Sequence, residues 1–222
     1  MDDRVASYMR KFTITPHINS AANTKAVIIV ETRRIHTLTQ SLSVMLQVLG
    51  PGYNLYIFHG ELNEFQLKLE MKDWKIRFMK LPIIELSTHL LDHLLTRKAF
   101  WLNFQEKQLV FVRHDTVFLR PLPDHVWNYA FVAPPNAHGQ PSASLFTCLT
   151  HYALNVLERA RPSTLNDLFA CLMELYPEVT PTFIYANQVL ADSFSVSGDV
   201  SAVTGHFCHT HPTSNMIMAQ IK

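Results

Sequence analysis

Two short runs of uninterrupted apolar residues constrain this chain more than any other feature. Ala26-Val-Ile-Ile-Val30 and Leu109-Val-Phe-Val112 contain no polar position, so neither alternates as a half-exposed strand would. Both are rich in β-branched and aromatic side chains, which favour extended backbone. A strand that is apolar at every residue is buried on both faces, the habit of a central strand in a parallel sheet covered by helices. The second run leads into Arg113-His-Asp-Thr116 before apolar sequence resumes at Val117 to Leu119. In open α/β sheets, ligands gather outside the carboxyl ends of the strands. Asp115 stands at such an end. It either terminates the strand or holds a divalent cation against a phosphate-bearing substrate, and spacing alone leaves both open.

The segments between these runs alternate in period. Leu38, Leu42, Met45 and Leu49 mark one face of a helix, which Gly50-Pro-Gly52 stops. A strand is expected at Tyr53 to Phe58, a turn at His59-Gly60, and helix over 61–71. Trp74 to Met79 alternates as a third strand, and a long helix is expected over Glu85 to Phe104, with Leu86, Leu90, Leu94 and Leu95 on its apolar side. Strand–helix–strand alternation predicts a three-layer α/β domain with a mostly parallel sheet. After Pro121, short strands are expected at 129–133 and, at an edge, 144–147. Helices are expected over 149–159, 165–175 and 183–191. Residues 1–24 are polar and aperiodic and read as a flexible arm, leaving 25–222 as a single domain.

Composition narrows the function classes. With 48% hydrophobic and 17% charged residues in a chain of 222, the sequence is that of a globular protein. The net charge of +1 and the lack of a basic block or Arg/aromatic stripe argue against nucleic acid as a partner. No apolar stretch reaches the length of a membrane span, and residues 1–11 lack the apolar core of a signal peptide. Cys148, Cys171 and Cys208 are odd in number and widely spaced. They suggest a reducing compartment, so a cytoplasmic location is expected.

Several polar groups could carry chemistry. Glu31-Thr-Arg33 follows the first strand, where Arg33 could fork onto a phosphate and Thr32 could bond a base or ribose. Equally, Arg33 could pair with a surface acid. His114 could tune Asp115 or cap the strand. Gly205-His-Phe-Cys-His-Thr-His-Pro212 puts three imidazoles and a thiol within six residues. His206, His209 and His211 could reach a common metal or belong to a solvated tail. Trp74, Phe78, Phe100, Trp101 and Phe104 have the spacing of packing residues rather than of a sugar-stacking platform. Cys148 reads as a small buried hydrophobe.

Lys25-Ala-Val-Ile-Ile-Val-Glu-Thr-Arg33, Leu49-Gly-Pro-Gly-Tyr53, Ile57-Phe-His-Gly60 and Asn63 resemble the opening of an uncharacterised glycosyltransferase-like family of GT-A type. The resemblance runs on through Leu94-Leu-Thr96, Phe100-Trp101 and Asp115-Thr116 to Asn128-Tyr-Ala-Phe-Val-Ala-Pro134. It covers residues 25–135 and is weaker beyond. It implies a GT-A-like, Rossmann-like nucleotide-sugar-binding fold, with Glu31, Thr32, Arg33 and His114 near the nucleotide. Asp115 with His206 or His209 would hold a divalent cation, Mn or Mg, and the partners would be a nucleotide-sugar and an unknown acceptor. Where the family has a Gly-rich loop and a Ser-Leu-Arg-Ser strand, this chain reads Gly139-Gln-Pro-Ser-Ala-Ser-Leu-Phe-Thr147. A family Glu-Asp pair appears as Thr182-Phe183. Proline removes an amide donor and blocks the close approach that glycine allows. Two expectations follow: a metal-dependent glycosyltransferase, or a catalytically degenerate GT-A-like domain kept for binding or assembly. A zinc-dependent module built on the tail histidines is a third.

Overall fold

The computed structural model describes residues 7–118, 121–133, 145–177 and 208–209. Its elements in chain order are β1 (Lys25–Val30), α1 (Leu38–Leu49), β2 (Tyr53–His59), α2 (Glu61–Glu70), β3 (Arg77–Lys80), α3 (Thr88–Leu95), α4 (Lys98–Trp101), β4 (Gln108–Val112) and β5 (Val117–Phe118). A 3-10 turn (Asp124–Asn128), β6 (Phe131–Val132), β7 (Leu145–Leu149), α5 (Thr150–Arg159), α6 (Leu165–Leu175) and β8 (Cys208–His209) follow. A six-stranded sheet has the order β3-β2-β1-β4-β7-β6, and β5 pairs with β8 separately. β1 runs parallel to β2 and β4, and β2 to β3, whereas β7 is antiparallel to both its neighbours.

The unbroken apolar runs occupy the middle of this sheet, as expected. Val27, Ile29, Leu55, Ile57, Val110 and Val112 pack on one face against Leu38, Leu42 and Met45 of α1. Ala26, Ile28, Tyr56, Phe58, Leu109 and Phe111 pack on the other against Trp101, Val156 and Phe169. Alternation by two gives each strand one row of side chains per layer, so both rows must be apolar. α1 ends where Gly50 takes φ 82°, a left-handed turn that glycine enters without steric cost, and Gly50 N–H closes on Leu46 O at 3.0 Å.

Four boundaries differ from expectation, each for a local reason. The third strand begins at Arg77, because Trp74 is spent as a buried plug and Lys75 instead bridges to Ile18. The helix expected over 85–104 is cut at Arg97, whose extended backbone (φ −97°, ψ 123°) swings Phe100 and Trp101 into the core. The break strands carbonyls, and the Trp101 indole N–H satisfies one of them, Leu95 O, at 2.7 Å. The 144–147 strand is longer than expected and interior, with the two-residue β6 at the edge. Residues 8–23, expected to be a loose arm, are tied to the domain: Tyr8 donates to Phe118 O, and Asn19 both donates to Leu55 O and accepts from Leu55 N–H. Polar side chains there act as adaptors for backbone groups, a use that leaves no periodic mark in sequence.

The helix expected over 183–191 lies outside the described residues. No described helix is long and apolar enough to cross a membrane.

Candidate functional site

β1, β2 and β4 end side by side, and the polar residues that follow them meet. Glu31 is the first residue past β1, and its side chain is only 6% exposed. Arg33 grips it in a fork, Nε to Oε1 and Nη2 to Oε2, both at 3.0 Å, and the Arg33 backbone N–H adds a third bond to Oε1 at 2.9 Å. From the end of β4, His114 Nδ1 approaches Glu31 Oε2 at 2.7 Å, so that nitrogen must carry a proton to donate. Arg33 Nη2 lies 3.4 Å from the same Nδ1, which makes the two groups neighbouring donors aimed at one carboxylate. Burial pushes the Glu31 carboxyl up, but the hydrogen bonds from His114 and Arg33 outweigh it and hold it at about 2. In turn the Glu31 hydrogen bond, together with the fields of Asp115 and Glu85, raises the Arg33 guanidinium.

The loop after β3 covers this corner. Leu81 N–H donates to His59 O, Glu61 N–H to Ile83 O, and Leu86 N–H to Thr32 Oγ1 at 2.9 Å. Thr32, expected to bond a base or ribose, is fully buried, and its hydroxyl oxygen fastens this loop instead. Gly60 makes the closure possible, since a Cβ there would lie 2.7 Å from Ile83 O and 2.9 Å from Thr32 Cβ. Asn63 caps the start of α2 through Gly60 N–H and donates to Glu31 O at 2.7 Å, locking the exit of β1 to the next helix.

Asp115 sits on a tight turn. Thr116 Oγ1 accepts from Arg113 N–H, and Thr116 N–H donates to Arg113 O, both at 3.1 Å. Arg113 Nη2 holds Asp115 Oδ2 at 2.9 Å, while Oδ1 is buried with no hydrogen-bond partner among the described residues. A buried, orphaned carboxylate oxygen is costly unless something meets it. That chemistry fits a hard cation such as Mn or Mg, which takes oxygen ligands. Among the described residues no three His, Cys, Asp or Glu side chains converge on one point. The tail nevertheless returns to this place: β8 pairs antiparallel with β5, setting the His209 backbone opposite Val117, two residues beyond Asp115. His206 and His211 lie outside the described residues.

Glu31, Arg33 and His114 are thus brought together, Asp115 stands beside them, and Thr32 is withdrawn behind them. Arg113 and the loop at 81–87 were not singled out from sequence, and Gly60 was read there only as a turn and as part of the resembled motif. Arg113 could have been found as the residue two before Asp115, on the same side of an extended chain. The expected aromatics are core: Trp74, Phe100, Trp101 and Phe104 are buried, and Phe78, partly buried, packs against the cluster that holds Trp74. Cys148 is buried, and burial pushes its thiol up.

No family model matches the sequence, and no curated protein matches it. The fold is similar to the crystal structure of mouse xyloside xylosyltransferase 1 in its apo form, with a TM-score of 0.51 at 8% identity over 85% of this chain and 98% of that one. Weaker likenesses include the apo glycosyltransferase GlyE of Streptococcus pneumoniae TIGR4 (TM-score 0.40, 9% identity, 71% of this chain and 44% of that one). Another is a candidate nucleotide-diphospho-sugar transferase of Desulfovibrio desulfuricans G20 (TM-score 0.40, 14% identity, 71% and 77%). The fold is GT-A-like, an α/β architecture with a mostly parallel sheet.

Proposed function

We propose that this protein is a glycosyltransferase that binds a nucleotide-sugar at the carboxyl ends of β1 and β4 and transfers its sugar to an acceptor. The observation that carries the reading is Asp115 Oδ1, buried and without a partner among the described residues, on a tight turn at a strand end of a GT-A-like sheet. Asp115 would hold Mn or Mg there, with His209 or His206 from the returning tail as a further ligand. A bound cation supplies positive charge that stabilises the departing nucleoside diphosphate without protonation. Arg33, half-exposed and set in a fixed orientation by Glu31, would present its outer N–H groups to a phosphate. Glu31 is a positioning residue: its oxygens are engaged by Arg33 and His114, so it aims two donors instead of meeting ligand itself.

Calorimetric titration with UDP, with and without manganese, tests this. Manganese should raise affinity in the parent, and Asp115→Asn should abolish most of that gain. Equal affinities in parent and variant, or no binding by either, would remove the proposed role.

One observation favours a second reading, a GT-A-like domain kept for binding or assembly. Phe146, at the position where the resembled family carries an arginine, is buried and stacked on Phe111 with ring centroids 4.3 Å apart and planes 12° apart. A core aromatic there cannot serve a sugar or acceptor. Manganese-dependent UDP binding without sugar transfer or donor hydrolysis would select this reading over the enzyme.

A further inference from the structure

A second cleft lies between the α3–α4 corner and the α5–α6 turn, and it shares no residue with the site above. Its volume is about 450 Å³, within the range of small-molecule sites. Leu157 and Pro162 give it apolar wall, and Arg97, Lys98, Arg161 and His93 bring nitrogen to it from two stretches of chain. We propose that this cleft binds a small molecule carrying a phosphate or sulfate group.

Among the described residues the lining contains no carboxylate. Three acids stand nearby, and each is engaged. Asp92 accepts from Leu165 N–H at 3.1 Å, Asp167 caps α6 through Ser163 and Thr164, and Glu158 lies 3.4 Å from Lys98 with both side chains largely in solvent. Among the described residues, neither Arg97 nor Arg161 has an acidic partner. Arg97 lies along the His93 ring at 3.2–3.4 Å, which fixes its plane without neutralising it. Ser163 gives its hydroxyl proton to Asp167 at 2.7 Å, so it contributes wall and no donor. Lys98 has Glu158 as a counter-charge, but the Arg97 and Arg161 guanidinium groups have none among the described residues, and an oxyanion between them offsets their repulsion.

Arg161 adds an independent sign. It follows the end of α5 with φ 52°, the left-handed conformation where helices commonly place glycine, and it is the only non-glycine residue at positive φ among those described. A charged side chain is held where glycine would be easier. Backbone strain of this kind gathers where a side chain must be presented. A planar guanidinium can take two oxygens of a tetrahedral anion at once, and Arg97 and Lys98 line the same cleft.

Arg161→Gly separates binding from folding, because glycine suits the backbone but removes the guanidinium. The parent, Arg161→Gly, Arg97→Gln and Arg33→Gln are titrated at low salt with phenyl phosphate and phenyl sulfate, without divalent cation. Saturable binding by the parent is expected, weakened at least tenfold by Arg161→Gly and by Arg97→Gln and unchanged by Arg33→Gln. Arg161→Gly should melt no lower than the parent. Tighter phenyl phosphate assigns the site to phosphate esters, and tighter phenyl sulfate to sulfate esters. No saturable binding, undiminished binding by Arg161→Gly, or loss in Arg33→Gln, which would move the anion to the strand-end site, overturns the proposal.

Discussion

Glu31 holds Arg33 at two points, Nε on Oε1 and Nη2 on Oε2, across only two residues of chain. The pair closes the exit of β1 upon itself. His114 then joins it from β4, so the ends of two adjacent strands are linked through one carboxylate. Such a link orients donors as well as joining strands, and its consequences can be measured.

Glu31→Gln keeps the shape but replaces one acceptor oxygen with a donor facing two donors. Arg33 lies about half in solvent, which screens part of the loss, so a destabilisation on the order of 2 kcal/mol is expected in urea titrations. Manganese-dependent UDP affinity should fall with it, since Arg33 is no longer aimed. Unchanged affinity in folded variant would show that Arg33 does not meet the nucleotide.

The same carboxylate sets a pH dependence. Its folded-state value lies at about 2, below the ordinary 4.5, so the unfolded chain binds its proton first as pH falls. The Glu31 contribution is therefore complete above pH 4.5 and drains away between 4.5 and about 2. In chemical denaturation across that range, the difference in stability between parent and Glu31→Gln should shrink toward zero. A difference that stays constant would contradict the pairing.

Gly60→Ala should destabilise through contact rather than conformation. Its new methyl would meet Ile83 O and Thr32 Cβ at under 3 Å, and neither is the far end of a flexible side chain. A cost of about 1–3 kcal/mol is expected from denaturation midpoints. The loop at 81–87 should also show faster amide exchange at Leu86, whose N–H would lose the Thr32 hydroxyl.

Glu106 tests the opposite end of the sheet. This buried carboxylate accepts from Asn54 Nδ2, from the Tyr56 hydroxyl at 2.8 Å and from Gln105 N–H at 3.1 Å, so every neighbour is a donor. Burial and the Glu106 hydrogen bond together push the Tyr56 phenol up. Glu106→Gln turns a donor toward donors and should cost about 2–4 kcal/mol in urea titrations. UDP affinity of the folded variant should be unchanged, because these groups lie at the amino ends of the strands.

The apolar runs at 26–30 and 109–112 determined the architecture by themselves. A strand with no polar residue can exist only between two apolar layers, and the helical spacing from Leu38 to Leu49 supplied one of them. The position of Asp115 was legible for the same reason, since a charge within three residues of such a strand lies near its end. The division of the 85–104 helix was not legible: the apolar spacing continues through it, and the break at Arg97 is rewarded only by where Phe100 and Trp101 land. Nor could sequence tell that Thr32 would face inward, or that β8 would return beside β5 from ninety residues away. The Glu31–Arg33–His114 cluster joins strands that are distant in the chain and adjacent in the sheet. Local pattern decides which strands are central, but their parallel pairing decides which polar ends meet.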